Sequence, residues 1–234
     1  MNETAKEIIN LLSSVSRPGM PQLIKWLTDD TDFFTSPAST KYHGNYVGGL
    51  ADHSINVFDS LTLLNSEFRD KETSYPSDTI IIVALLHDLC KVNSYIEDSE
   101  HATDPQMKYL KDLISKSDYS MPPNHHLTKG YISILIEFLK NGGEEFPIYA
   151  PVWKVVDSLP MGHGEKSVYM IQKFIDLTDI EALAIRWHLG AHDPGSHFFY
   201  PTGVANQQAI KEVPLVPMMA AADYIATWLV DVKK

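Results

Sequence analysis

The sequence is poor in cysteine: Cys90 is the one example in 234 residues. No internal disulfide can form, and a reducing compartment is the natural expectation. Long apolar stretches are missing as well. The strongest run, Ile80 to Leu86, falls far short of the roughly 20 residues that a bilayer-crossing helix requires. Residues Met1 to Glu7 carry charge and no apolar segment, which excludes a secretory signal there. A cytosolic location is expected, with no membrane partner. Basic residues are thin: 19 Lys and Arg face 30 Asp and Glu, a formal net charge of −11, and the densest basic cluster is only Lys233-Lys234. Proteins that grip a nucleic-acid backbone draw much of their affinity from counterion release at a basic face. The composition therefore argues against long nucleic acid and for a small anionic ligand. Internal repeats and low-complexity tracts are also absent.

What is present is a chain with 44% hydrophobic and 21% charged residues, enough to bury a core without staples. Thr4-Ala5-Lys6-Glu7 has the form of a capping box, and Ala5, Ile8, Ile9 and Leu12 follow at helical spacing. This predicts a helix over 4–15, halted by Pro18-Gly19, and a short second helix from Pro21. Gly44, Gly48 and Gly49 mark a loop before a helix over 50–68. The nearly continuous apolar character from Thr79 to Cys90 predicts a buried helix. Polar residues dominate 97–126, an excursion with one weak helix. Further helices are predicted over 127–139, 165–177, 180–189 and 216–230. A minor β-hairpin near 147–157, turning at Pro151, would use Ile148-Tyr149-Ala150 and Trp153-Lys154-Val155-Val156. The expected architecture is one all-α domain over 1–234.

Five segments place His or Asp where a metal ion can use them: Gly48 to His53, Ala84 to Lys91 with His87-Asp88, Gly162 to Ser167 with His163, Ala184 to Gly190 with His188, and Ala220 to Ala226 with Asp223. A histidine near a helix end is, by itself, more often a cap or a surface residue. The aspartates resist that explanation. Asp88 follows seven apolar residues at a helix C-terminus, where the dipole opposes a negative charge. Asp223 sits amid Met218, Met219, Ala220, Ala221, Ala222 and Ile225. Carboxylates are seldom buried unless paired or metal-bound. A divalent ion shared with histidines answers both needs, and mixed imidazole and carboxylate sets suit Mn, Fe, Co, Ni or Zn.

The order His53, His87-Asp88, Asp223 resembles the H…HD…D signature of the HD-domain metal-dependent phosphohydrolases. The flanking GGLADH, LLHDLCK and AADYIA segments strengthen the match, and LPMGHGEKS and AIRWHLGAHD resemble a subgroup of small single-domain HD hydrolases of bacteria and phages. The resemblance covers about residues 42–228, with the N-terminal helices over 4–36 packed on that core. It implies an HD-type helical bundle and a phosphomonoesterase or phosphodiesterase that works through metal-activated water. It implies His53, His87, Asp88 and Asp223 as ligands of a first ion, Asp88 as a bridge, and His163 and His188 as ligands of a second. Two divalent ions, from among Mn, Fe, Mg, Co, Ni and Zn, are thus expected. Catalytic roles fall to Asp88 and Lys91, the latter standing where many members carry a lysine near the substrate phosphate. Lys166 and Arg186 are candidate phosphate contacts, His43 a candidate substrate contact, and Glu165 a group that could orient a ligand histidine or water. For Glu165, Lys166 and Arg186 a solvated helix face explains the residues equally well.

The second dipeptide, His192-Asp193, is read as pocket rim. His197, Phe198, Phe199 and Tyr200 could stack on a base or sugar, although loop packing is the commoner role. Cys90 lacks a base that would make it a nucleophile and is assigned to packing. The expected substrate is a nucleotide or similar small phosphate. The acidic composition favours it, and the exoribonuclease members of the superfamily resemble an HD domain fused to a nucleic-acid-binding module. The alternatives are a 3'-5' nuclease on single-stranded nucleic acid and a non-catalytic ligand-binding protein on an HD scaffold. Loss of metal ligands would mark the last, and none is lost.

Overall fold

Seven consecutive apolar residues cannot all lie on one face of a helix, so the helix that carries Ile80 to Leu86 must be enclosed on every side. In the computed structural model all seven are buried. The structure describes residues 2–231 apart from 69–73, 143–145, 148, 150, 194–198, 201 and 202. The described residues form ten α-helices: α1 (Glu3–Ser14), α2 (Met20–Asp29), α3 (Gly49–Glu67), α4 (Ser77–Leu86), α5 (Asp104–Ile114), α6 (Lys129–Asn141), α7 (His163–Ile171), α8 (Asp179–Arg186), α9 (Ala205–Glu212) and α10 (Leu215–Ile225). The apolar run is α4, and α1, α3 and α8 pack around it. Among the described residues no single helix is long and apolar enough to cross a membrane.

The chain divides into two compact units, residues 1–94 with 156–234, and residues 95–155. The first holds the main core, to which α1, α2, α3, α4, α7, α8 and α10 contribute. α10 lies against both α3 and α8, and α7 against α8. The second is built on Leu110, Tyr131, Ile132 and Leu135, where α5 meets α6. In that unit His126 stacks on Tyr149, with ring centroids 4.0 Å apart.

The all-α expectation is met, with small β additions. Of the expected hairpin, the second arm is present as a strand, Trp153–Val155, but its partner is Tyr95–Glu97 rather than the segment before Pro151. We label these β2 and β1; they pair antiparallel with Ile96 opposite Lys154. Positions 148 and 150 lie outside the described residues. A pairing between segments this far apart in the chain leaves no turn signature to read. A further two-residue pair, β3 (Phe199–Tyr200) with β4 (Gly203–Val204), precedes α9. The predicted helix over 79–90 stops at Leu86 and continues as a 3₁₀ turn, Leu89–Lys91.

One buried ion pair ties the N-terminal segment to α8. Glu181, fully buried, closes the capping box of α8 with Thr178 and also receives both terminal nitrogens of Arg17, at 2.6 and 3.0 Å. Thr79 at the start of α4 donates to the same carboxylate at 3.0 Å. Burial pushes the Glu181 carboxyl upward, but the Arg17 and Thr178 bonds outweigh it and hold it below its ordinary value. Stability from this carboxylate is therefore present above the usual carboxylate range and is lost as pH falls through the depressed value. Replacing Arg17 with Met strands a buried charge and is expected to cost about 3 kcal/mol at pH 7. Urea unfolding should show that deficit, and the gap to the parent protein should narrow below about pH 4. An unchanged midpoint at pH 7 would refute the assignment.

Candidate metal centre

Five helices deliver histidines and carboxylates to one point in the first unit. α3 is preceded by its cap Gly48, whose φ of +89° is a left-handed conformation that suits glycine. The Gly48 and Leu50 amides bond to the Thr35 and Ser36 carbonyls at 3.0 Å each, which fixes the start of the helix. His53 then lies in its second turn, buried. α4 ends at the apolar limit of its run, leaving His87 and Asp88 buried at its C-terminus. His163 opens α7, and His188 follows α8. These two helices approach closely because Gly164 has no side chain: a Cβ there would stand 2.2 Å from the Arg186 carbonyl oxygen. Asp223 comes from α10.

The histidines are oriented by their outer nitrogens. His87 Nδ1 donates to the Ala84 carbonyl at 2.8 Å and His188 Nδ1 to the Ile185 carbonyl at 2.6 Å. A carbonyl only accepts, so both rings carry their proton on Nδ1 and present Nε2 inward. His53 Nδ1 bonds Asp231 Oδ2 at 2.8 Å, which turns its Nε2 inward as well. The Nε2 atoms of His53, His87 and His188 are buried without a hydrogen-bond partner.

The Asp88 carboxylate stands between them, and its two oxygens divide the histidines. Oδ1 lies 2.8 Å from His163 Nε2 and 3.5 Å from His188 Nε2. Oδ2 lies 3.4 Å from His87 Nε2 and 3.7 Å from His53 Nε2, and Lys91 Nζ reaches it at 2.6 Å. Asp223 Oδ1 is 3.2 Å from His53 Nε2. His53, His87 and Asp223 therefore offer donor atoms within 4.8 Å of one another, as do His87, Asp88 and His188. Buried, partnerless imidazole nitrogens around buried carboxylates are the donor set that a divalent cation completes.

The charge states express the same demand. Burial disfavours an ionised Asp88, yet Lys91, His87 and His163 hold its carboxyl well below the usual range. Asp223 is likewise held low, against burial, chiefly by His53. Burial pulls the His53 imidazole down, but Asp223, Asp231 and Asp88 together raise it to about 9. His87 is lowered, chiefly by burial. Three buried or half-buried carboxylates thus draw protons onto imidazole in place of another cation.

Asp231 and its partner Asn56 escape the sequence analysis. Asp231 is buried, accepts from His53, and also receives Asn56 Nδ2 at 2.6 Å. Eight residues after Asp223, a regular helix advancing about 100° per residue would leave it about 80° out of line. The chain between them winds as a π-helical segment, Ala226–Val230, whose wider turns advance less per residue and bring both carboxylates to His53. The signal available in the sequence was an acidic residue two turns past Asp223 in an apolar helix.

The remaining predicted residues separate into two groups. Lys91 and His43 line the cavity of about 230 Å³ that holds Asp88, His188 and Asp223. The His43 ring is 4.7 Å from that of His53, and burial together with His53 and Lys91 lowers it to about 4, so it is neutral at pH 7. Lys166 and Arg186 are engaged elsewhere. Lys166, buried, bonds Asp157 at 2.7 Å and Ser94 at 3.3 Å. Arg186 pairs with Glu165 and with Asp193 at 2.7 Å, and lies over the Trp187 ring. His192 lines the cavity, whereas Asp193 is buried. Cys90 Sγ is 3.3 Å from His163 Nδ1, and burial beside Asp88 raises its thiol to about 12, so it stays protonated. Positions 197 and 198 lie outside the described residues.

A helical scaffold with a buried His/Asp cluster at the end of an apolar helix is thus a candidate divalent-metal centre. Over 168 residues, 71% of its length, the chain is 26% identical to the 3'-5' exoribonuclease YhaM of Bacillus subtilis and 24% identical to the YhaM of Bacillus velezensis. It spans 46% of the length of each relative. This supports a place in the HD superfamily at low identity. No family model matches the chain, and no solved structure matches it. The likeness overturns one reading of the composition: long nucleic acid cannot be set aside on net charge. Net charge sums the whole surface, whereas a strand end engages only the site that receives it.

Asp231 is expected to act as an orienting partner of His53. Asp231→Asn should weaken divalent-ion binding roughly 10–100-fold, the usual cost of losing such a partner. Competition with a chelating dye measures it, and an unaltered affinity would exclude this role.

Proposed function

We propose that the chain is a metal-dependent phosphodiesterase that removes nucleotides from the 3' end of single-stranded RNA. The observation that carries the reading is the division of the Asp88 oxygens, one toward His163 and His188 and the other toward His53 and His87. That arrangement suits a carboxylate shared between two divalent ions, the first held by His53, His87, Asp88 and Asp223 and the second by Asp88, His163 and His188. The substrate class is supported by the names of the relatives, which are exoribonucleases.

Divalent ions bound there would neutralise charge on the phosphoryl oxygens and acidify the attacking water. The chain's own residues do the rest. Lys91, mostly buried beside Asp88, would hold a phosphoryl oxygen that enters the cavity. His43, neutral and with both ring nitrogens unpartnered, offers one donor and one acceptor on the cavity wall without adding charge. The apolar enclosure of α4 keeps solvent from the rear of the site, so these interactions act at low dielectric.

Two measurements test the reading. With Mn, Mg, Co or Fe, 5'-labelled single-stranded RNA should shorten stepwise from its free 3' end, and His87→Ala should lower the rate by more than about 100-fold. Failure to shorten with every ion sinks it. Metal analysis of the purified protein should give two ions per chain, with one lost in His163→Ala; a count of one in both proteins would leave a single-ion site.

A further inference from the structure

Beside the Asp88 cavity lies a second one of about 310 Å³, walled by Lys41, Tyr42 and Tyr46 on one side and by Thr227, Trp228 and Asp231 on the other. The two cavities share His43, Thr227 and Trp228, so they adjoin across these residues, one at the carboxylate cluster and the other at the loop before α3. Their rim carries three large rings in unusual exposure: Trp228 is 52% exposed, Tyr224 58% and Tyr42 74%. A single exposed aromatic needs no explanation, but three around two adjoining cavities do. Tyr224 and Trp228 are one turn apart, with centroids 6.2 Å apart and planes inclined at 44°, so they are not stacked face to face on each other.

We propose that Trp228, flanked by Tyr224 and Tyr42, is the stacking platform for the base next to the phosphate held at Asp88. The inference rests on the reading of the site as an RNA 3'-end phosphodiesterase. Trp228 is held in place by the helix that contains it, because Asp231 after it bonds the buried His53 and Asp223 before it lies 3.2 Å from the same ring. It lines both cavities, with phosphate-binding chemistry on one side and the exposed Tyr42 on the other. Among the described residues that line the two cavities, the lysines are Lys41 and Lys91. Ring stacking adds affinity for a single strand that does not depend on charge. Stacking accepts every base, since each has a π-face, which suits a processive trimming of mixed sequence.

The test compares the metal-loaded protein on two single-stranded RNAs that differ only in the last nucleotide, intact in one and abasic in the other. The parent protein should prefer the intact end in KM by roughly ten-fold, the magnitude of one base–aromatic stack. Trp228→Ala should erase that preference by raising KM for the intact end, so that both strands behave like the abasic one. Trp228→Phe should restore most of it. Circular dichroism of each variant checks folding, and Tyr42→Ala, altered at a more exposed position, should show a partial loss in the same direction. Equal KM for both ends in the parent, or a preference that survives in Trp228→Ala, overturns the inference while leaving the nuclease reading intact. No cleavage of either strand by the parent overturns both.

Discussion

Everything at the centre depends on one buried anion, the carboxylate of Asp88. Taking a carboxylate out of water costs several kcal/mol even after relaxation, and the C-terminal end of a helix adds to the cost. Asp88 cannot retreat to solvent, because the seven residues before it are locked into the core. The neighbours must therefore bring positive or polarised groups to it. They are the helices that surround α4: α3 with His53 and α8 with His188, while α10 adds Asp223 from behind α3 and α8. The packing that encloses the apolar run and the geometry that serves the carboxylate are the same set of contacts.

The same economy appears at the helix ends. The last carbonyls of an α-helix have no intrahelical donor and must find one. His87 at the end of α4 and His188 just past α8 each supply it, bonding back to the carbonyl three residues earlier. One bond thereby closes a helix, chooses the ring tautomer and aims the free nitrogen at Asp88. His53 lies inside its helix, where the carbonyls are already used, so its outer nitrogen needs a side chain instead. That requirement explains why Asp231 exists in the cluster and why the last helix widens into a π turn before reaching it.

These physical differences decide what could be read from the amino-acid order. His87-Asp88 stood out because an aspartate closing an apolar run is anomalous by itself. Asp223 stood out for the same reason, and His53, His163 and His188 through their likeness to known segments. Asp231 did not, because its alignment with Asp223 arises from a local change in helix winding that the sequence does not announce. The pairing of Tyr95–Glu97 with Trp153–Val155 was hidden by its separation along the chain, and helix α9 by its polar composition. Lys166 and Arg186 sit in the right segments, but their charges are engaged by Asp157, Asp193 and Glu165, partners scattered through the sequence. Position along a helix was legible; the partner of a long side chain was not.

Net charge misled for a related reason. A formal charge of −11 measures the whole surface, and it governs binding when a protein tracks many phosphates along a duplex. An enzyme that receives one strand end meets only the phosphates at the site, so the relevant sum is local. In the proposed function Asp88 and Asp223 would hold the cations, and those cations would in turn meet the phosphate. An acidic centre and an anionic substrate are then consistent, because the ions between them change the sign that the substrate encounters. Counterion release would contribute little to such a contact, and on the proposed reading the weight of recognition would pass to groups that salt does not screen, apolar ring faces and hydrogen bonds.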